Sequence, residues 1–370
     1  MGRASAQAPF APQIPLESEV PIALLVDVTS GQVLYSRNAD RRFVPASITK
    51  VMSLYLAFEL IEAGRLDLRQ PITVKEGAAI EWSGKGSSMF LNPDDVVPLA
   101  DLLTGIATVS ANDASIVVAE TASGSVPAWI AEMNSKAQSL GMTQSRFGTP
   151  NGWPDEGYTF TTANDLVVLA QAMIARHPAK YRRFIGQPDF RYGEIAQSNR
   201  DPLLGRVRGA DGIKTGYTNE AGFGFLGSAK RDGQRLVLVV AGAGRNAVRA
   251  RSARGLMEWG FAAFDRQRLF YKDEIVGEAR VQNGSSSVVK LVTDRSVAVN
   301  VPKGKQSEVR MAVSYNGPIR APISKGDQVA ILEIKVPDMA PARVPLLAAE
   351  DVKQAGFFGR VLNAFSGWLN

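Results

Sequence analysis

Apolar residues at positions 51, 54, 58 and 61, closed by Gly64, recur at the spacing of one helix face. They predict a buried helix with a glycine stop, and place Ser47 in its first turn. Residues 99–107 repeat the helical pattern and residues 113–122 resume it. Ser110-Ala111-Asn112 between them reads as a short loop whose Ser and Asn also suit an N-cap. From residue 221 the period changes. An apolar, glycine-bearing run over 221–229, a turn at Arg231-Asp232-Gly233-Gln234 and a second run over 235–240 predict an antiparallel hairpin. Beyond Phe264 come short β-rich segments such as 287–292 and 328–334, separated by Gly and Pro turns, as in a small all-β domain. Finally Phe357, Phe358, Val361, Leu362, Phe365, Trp368 and Leu369 recur every 3.6 residues, opposite Arg360, Asn363, Ser366 and Asn370. That is an amphipathic terminal helix, suited to a membrane interface or to packing on the β domain. No apolar run approaches the roughly 20 residues that a membrane span requires.

Composition narrows the chemistry. At 370 residues the chain has room for two domains. Its 42 basic and 36 acidic residues leave a net charge of +6, dispersed along the sequence without a basic-aromatic stripe, so no nucleic-acid partner is expected. There is no cysteine, which suits either the cytosol or the periplasm and removes thiol nucleophiles. The lone histidine, His177, stands before Pro178 where a helix ends. It is expected at the surface or in a C-terminal turn, and a Ser-His-Asp triad is therefore not expected. No metal-ligand cluster is visible, and the chemistry below needs neither metal nor organic cofactor.

Three short motifs remain. Ser-x-x-Lys occurs at Ser47 to Lys50 and again at Ser287 to Lys290, and roughly one or two such matches arise by chance in a chain this long. Context separates them. Ser47 opens a helix, which puts Lys50 one turn later on the same face, whereas Ser287 sits in a strand-like run where its lysine is too distant. Ser110-Ala111-Asn112 follows, and Lys214-Thr215-Gly216 occurs once, on the strand before the hairpin. A serine hydroxyl needs a base. With histidine set aside, Lys50 is the remaining candidate, kept neutral by partial burial and by Lys214 nearby. Lys214 offers charge, and Thr215 a hydroxyl, to a substrate carboxylate. Gly216 is expected to let substrate backbone approach the strand closely.

Ordered in this way, the motifs are the parts list of a penicillin-recognising serine acyl-transferase. The chain resembles the serine D-alanyl-D-alanine carboxypeptidases, low-molecular-mass penicillin-binding proteins, from about Ile14 to Phe264. The likeness extends to segments 85–91, 134–142 and 211–218 and to Trp259-Gly260-Phe261. The resemblance implies an α+β fold. A penicillin-recognising domain over 14–266, an antiparallel sheet flanked by helices, would precede a β-sandwich domain over 267–348 and an amphipathic helix over 349–370. It implies Ser47 as acylated nucleophile, Lys50 as base and Ser110 as proton relay. It implies Asn112 on the peptide amide, Lys214 and Thr215 on the terminal carboxylate, and an oxyanion hole from the backbone N–H groups of Ser47 and Tyr217. Arg249 best matches an arginine that the family carries on the helix after the hairpin; Arg245, Arg251 and Arg254 share that helix. Two positions depart from the family's habit: Tyr217 stands where histidine is frequent, and Ala111 where glycine is frequent.

The implied activity is removal of the terminal D-alanine from peptidoglycan stem pentapeptides, with β-lactams as covalent inhibitors. A D,D-endopeptidase on cross-links and a low-turnover penicillin-binding scaffold for cell shape stay open at this point. A class A β-lactamase would need a glutamate to activate deacylating water, and Glu156 is the one loose candidate between residues 140 and 180. Ala4-Ser5-Ala6 resembles the cleavage end of a secretory signal. The expectation is a periplasmic protein, secreted through a signal peptide absent from this sequence and attached to the inner membrane by its terminal helix.

Overall fold

The computed structural model describes residues 11–305 and 308–356, so Ala4-Ser5-Ala6 and the helix expected at the C-terminus beyond residue 356 lie outside the described residues. The chain divides into two compact units: residues up to Thr29 with Tyr35–Phe261, and Ser30–Leu34 with the residues from Ala262 on.

In chain order the first part gives β1 (Ile22–Asp27), β2 (Gln32–Arg37), α1 (Lys50–Glu62), β3 (Pro71–Thr73), α2 (Glu76–Trp82), β4 (Val96–Pro98), α3 (Leu99–Thr108), α4 (Asn112–Ser123) and α5 (Val126–Ser139). It continues with α6 (Ala163–Arg176), α7 (Pro178–Phe184), β5 (Asp189–Tyr192), β6 (Ile195–Ser198), β7 (Ala210–Thr218), β8 (Gly222–Arg231), β9 (Gln234–Ala243) and α8 (Asn246–Ala262). The main sheet of the described residues runs β2-β1-β9-β8-β7, with the last three pairings antiparallel. Asp232 and Gly233 close the β8–β9 hairpin, both at positive φ, +48° and +79°. That twist matches the right-handed twist of the strands they join.

Helix α1 is the pivot of the fold. The sequence shows an apolar stripe, but ten of its thirteen residues are buried, Lys50 and Ser53 included. It packs among α3, α4, α5 and α6, so polar atoms facing inward must find partners in neighbouring loops. Ser53 Oγ duly donates to Pro150 O at 2.6 Å. Gly64, at φ +70°, ends the helix.

His177 corrects the sequence reading. It does lie at the α6 C-terminus, but only 3% of it is exposed, because it packs edge-on against Tyr55 and Phe58 and reaches Glu59 Oε1 with Nε2 at 3.2 Å. It is a core residue on α1's flank.

The second unit is all-β. It contains β10 (Phe264–Phe270), β11 (Ile275–Gln282), β12 (Val288–Val292), β13 (Val297–Pro302), β14 (Arg310–Ser314), β15 (Ile319–Arg320), β16 (Gln328–Lys335) and β17 (Ala342–Ala348). A six-stranded sheet, β14-β16-β17-β12-β11-β15, and the β10-β13 pair share one apolar core that includes Val289, Leu291, Val299, Leu332 and Leu346. Alternation of buried and exposed positions along β17 shows a sheet wet on one face.

Candidate active site

The loop before α1 makes a tight turn, Ala46–Thr49, that lifts Ser47 into a cleft of about 650 Å³. Lys50 begins α1 directly behind it and is fully buried. Its Nζ has three oxygen neighbours: Asn151 O at 2.6 Å, Asn112 Oδ1 at 2.7 Å and Ser47 Oγ at 3.0 Å. Burial, and then the charge of Lys214, push the Lys50 ammonium well below its ordinary range. A neutral amine has two hydrogens and one lone pair. The two carbonyl oxygens can only accept, so they take the hydrogens and leave the lone pair facing the Ser47 hydroxyl.

Ser110-Ala111-Asn112 joins α3 to α4 as the pattern predicts, but it does not cap. Ala111 is the N-cap residue, and it offers no side-chain cap to the helix start. The reason is that Asn112 is used elsewhere: its Oδ1 accepts from Lys50, its Nδ2 donates to Lys85 O at 2.9 Å, and its N–H donates to Ser87 O at 2.8 Å. Ser110 is held at φ +67°, a conformation that costs a non-glycine residue about 1 kcal/mol or more. Its buried Oγ has no hydrogen-bond partner among the described residues. Strain and an unpaired hydroxyl thus coincide in one residue of the cleft.

Strand β7 forms the opposite wall. Thr215, Gly216, Tyr217 and Thr218 line the cleft, and Lys214 lies behind them, 4% exposed. Burial, with Arg200 and Arg249 adding like charge, brings Lys214 down to about 7. At Gly216, a residue of the cleft, the structure adds a second reason for glycine. A Cβ there would stand 2.5 Å from Pro45 O and 3.1 Å from Ile48 Cγ1. The missing side chain lets β7 lie against the Ser47 turn. Tyr217 is half exposed, stacks on Phe223 at 4.1 Å between centroids, and donates its hydroxyl to Asn219 Oδ1.

Arg249, expected on α8 among other arginines, is 5% exposed and lines the cleft. Its Nη2 donates to Asn246 Oδ1 at 2.6 Å and to Arg200 O at 3.3 Å. Thus Ser47, Lys50, Ser110, Asn112, Lys214, Thr215, Gly216, Tyr217 and Arg249 all converge. Sequence reasoning missed four contributors. Arg200 lines the cleft and donates to Ser87 Oγ at 2.6 Å. Trp153 walls it and meets Trp82 edge-on, with Lys85 over both rings. Gly152, at φ +73°, is required because a Cβ there would fall 1.8 Å from Ala46 O. Asn151 supplies a carbonyl to Lys50. Only the glycine pair within 148–152 and the tryptophan beside it were visible hints. None of the lining residues is acidic, and Glu156, exposed at φ +58°, is not among them.

Comparisons with known proteins find relatives along most of the chain. A family model described as D-alanyl-D-alanine carboxypeptidase matches residues 6–245, and one described as penicillin-binding protein 5, C-terminal domain, matches residues 264–354. The chain is 34% identical over 346 residues to the D-alanyl-D-alanine carboxypeptidase DacC of Escherichia coli, covering 91% of this chain and 85% of the other. Penicillin binding protein 5 from Haemophilus influenzae superposes with a TM-score of 0.81 at 31% identity, over 94% of this chain and 100% of that one. Penicillin-binding protein D2 from Listeria monocytogenes, in its ampicillin-bound form, gives 0.58 at 29% identity over 68% of this chain and 99% of its own.

Proposed function

The chain belongs to the D-alanyl-D-alanine carboxypeptidase family, and from that premise we propose that Ser47 is the nucleophile with which it removes the terminal D-alanine of peptidoglycan pentapeptides. The observation that carries this is the Lys50 amine, whose two hydrogens are committed to carbonyls and whose lone pair is left to the Ser47 hydroxyl.

Neutral Lys50 takes the Ser47 proton while Oγ bonds to the carbonyl carbon of the penultimate D-alanine. The carbonyl electron pair moves onto oxygen, met by the backbone N–H groups of Ser47 and Tyr217. As the carbonyl re-forms, the C–N bond breaks, and Ser110 relays a proton from Lys50 to the leaving amine. Water then attacks the acyl-enzyme by the same steps reversed, restoring Ser47 and Lys50. Lys214, Thr215 and Arg249 hold the terminal carboxylate, and Asn112 the peptide amide. A β-lactam offers a carbonyl and a carboxylate to the same groups, which gives the penicillin-binding family its covalent inhibitors.

An amphipathic segment at the C-terminus would hold the enzyme to the inner membrane from the periplasmic side, a reading supported by its 3.6-residue aromatic spacing.

The test is release of D-alanine from a pentapeptide ending in D-alanyl-D-alanine. Release is expected from the wild type and not from Ser47→Ala, with penicillin labelling lost in the same variant. A folded wild type that neither releases D-alanine nor takes up penicillin would sink this assignment.

A further inference from the structure

Asp201 takes no part in the steps above, yet it sits in a turn between Arg200 and Pro202 that is tied to α8. It follows Arg200, a residue of the cleft. Oδ1 accepts from the N–H groups of Leu203 at 2.7 Å and Leu204 at 3.2 Å, and the Asp201 N–H donates to Asn199 Oδ1 at 2.9 Å. The turn so made is tied twice to α8, by Arg249 Nη2 on Arg200 O and by Arg254 Nε on Pro202 O at 2.7 Å. The other oxygen, Oδ2, is shielded from solvent and accepts no hydrogen bond among the described residues; Arg249 Nε is buried and donates none.

The charges around it are unequal. Arg200 and Arg249 disfavour the charge of Lys214 on β7, Arg200 and Arg254 that of Arg249 on α8, and Arg206 that of Arg254; Lys50, beyond Lys214, has Asp113 as its acid. Asp201 is the acid that acts on Lys214, Arg249 and Arg254. Burial raises it to about 6, against the Leu203 and Leu204 N–H groups, Arg249 and Lys214, which favour its charge. It in turn favours the charged forms of Lys214 and Arg249. A direct ion pair would use up the donors that a substrate carboxylate needs. A carboxylate in the same turn, with Oδ2 uncommitted, favours the charge of Lys214 and Arg249 without taking a hydrogen bond from either.

We propose that Asp201 is a positioning residue of the reaction, an internal counter-ion that keeps Lys214 charged for a substrate with a free carboxylate. The inference rests on the reading of the cleft given above. Its test is Asp201→Asn in the full chain: the amide oxygen keeps both turn hydrogen bonds, while the charge gives way to an NH2 group at the Oδ2 position. The alkaline limb of kcat/KM for D-alanine release is expected to move about half to one pH unit toward acid. At about pH 8 this appears as a roughly three- to tenfold rise in KM with kcat within about twofold, since bound carboxylate restores the lysine's charge. Penicillin acylation should show the same shift in the folded variant. Superimposable pH profiles for an active wild type and an active variant would overturn the proposal and leave Asp201 a turn residue. A wild type without Ser47-dependent release or labelling would overturn the underlying reading as well.

Discussion

Lys50, proposed as the base, shows what a buried lysine costs the fold. Folded, it is buried with its charge strongly disfavoured; unfolded, it titrates near its ordinary 10.5. Between the lowered folded value and 10.5 the unfolded chain therefore binds one proton more, and this residue's contribution makes stability rise with pH across that window. Lys50→Met lacks the term. Wild type should lose up to about 1.4 kcal/mol per pH unit relative to Lys50→Met as pH falls from about 9 to 7. Urea unfolding at several pH values measures it, and a constant difference would mean that Lys50 stays charged in the fold. The placing of this lysine beside Ser47 was legible because a three-residue spacing across a turn is local geometry. Ser110's strain was not, since a positive φ at serine has no sequence signature. Gly216 was legible as a glycine, but its packing against Pro45 was not, because Pro45 is remote in sequence.

At the scale of elements, the helices and the β8–β9 hairpin announced themselves by period, but the two segments that complete the cleft did not. Residues 84–91 and 148–154 are irregular, and side chains bonded to backbone hold them. Asp113 is the chief tie. It is fully buried; Oδ1 accepts from the N–H groups of Met89 and Ala114, and Oδ2 from Ser88 Oγ and the Leu91 N–H. In Asp113→Asn one of the two positions must become an NH2 group. Turned toward Ser88, whose hydroxyl can reverse, it still strands the Leu91 N–H. The expected cost is about 1–3 kcal/mol in urea unfolding. Ser87 would loosen with the segment, and it holds both the Asn112 N–H and Arg200. Penicillin acylation should slow about tenfold in a variant that remains folded. Acylation at the wild-type rate would show that Ser87 is positioned without Asp113.

On the scale of the whole molecule, the catalytic groups named here all lie in the first unit, and the amphipathic pattern lies at the far end of the sequence, after the β unit. If that pattern is a membrane anchor, attachment and catalysis are separable. Its polar face carries only Arg360, so attraction to anionic headgroups contributes little, and burial of Phe357, Phe358, Leu362, Phe365 and Trp368 supplies the affinity. Removing residues 357–370 should then lower co-sedimentation with phospholipid vesicles by about tenfold or more, while kcat/KM on a soluble pentapeptide stays within about twofold. Salt decides what kind of attachment it is. At about 0.5 M the Debye length shrinks to a few ångströms, which releases proteins held by charge and leaves those held by apolar burial. The intact chain should stay bound there. Release by salt would instead assign vesicle binding to the dispersed excess of six positive charges, which no single segment of the sequence concentrates.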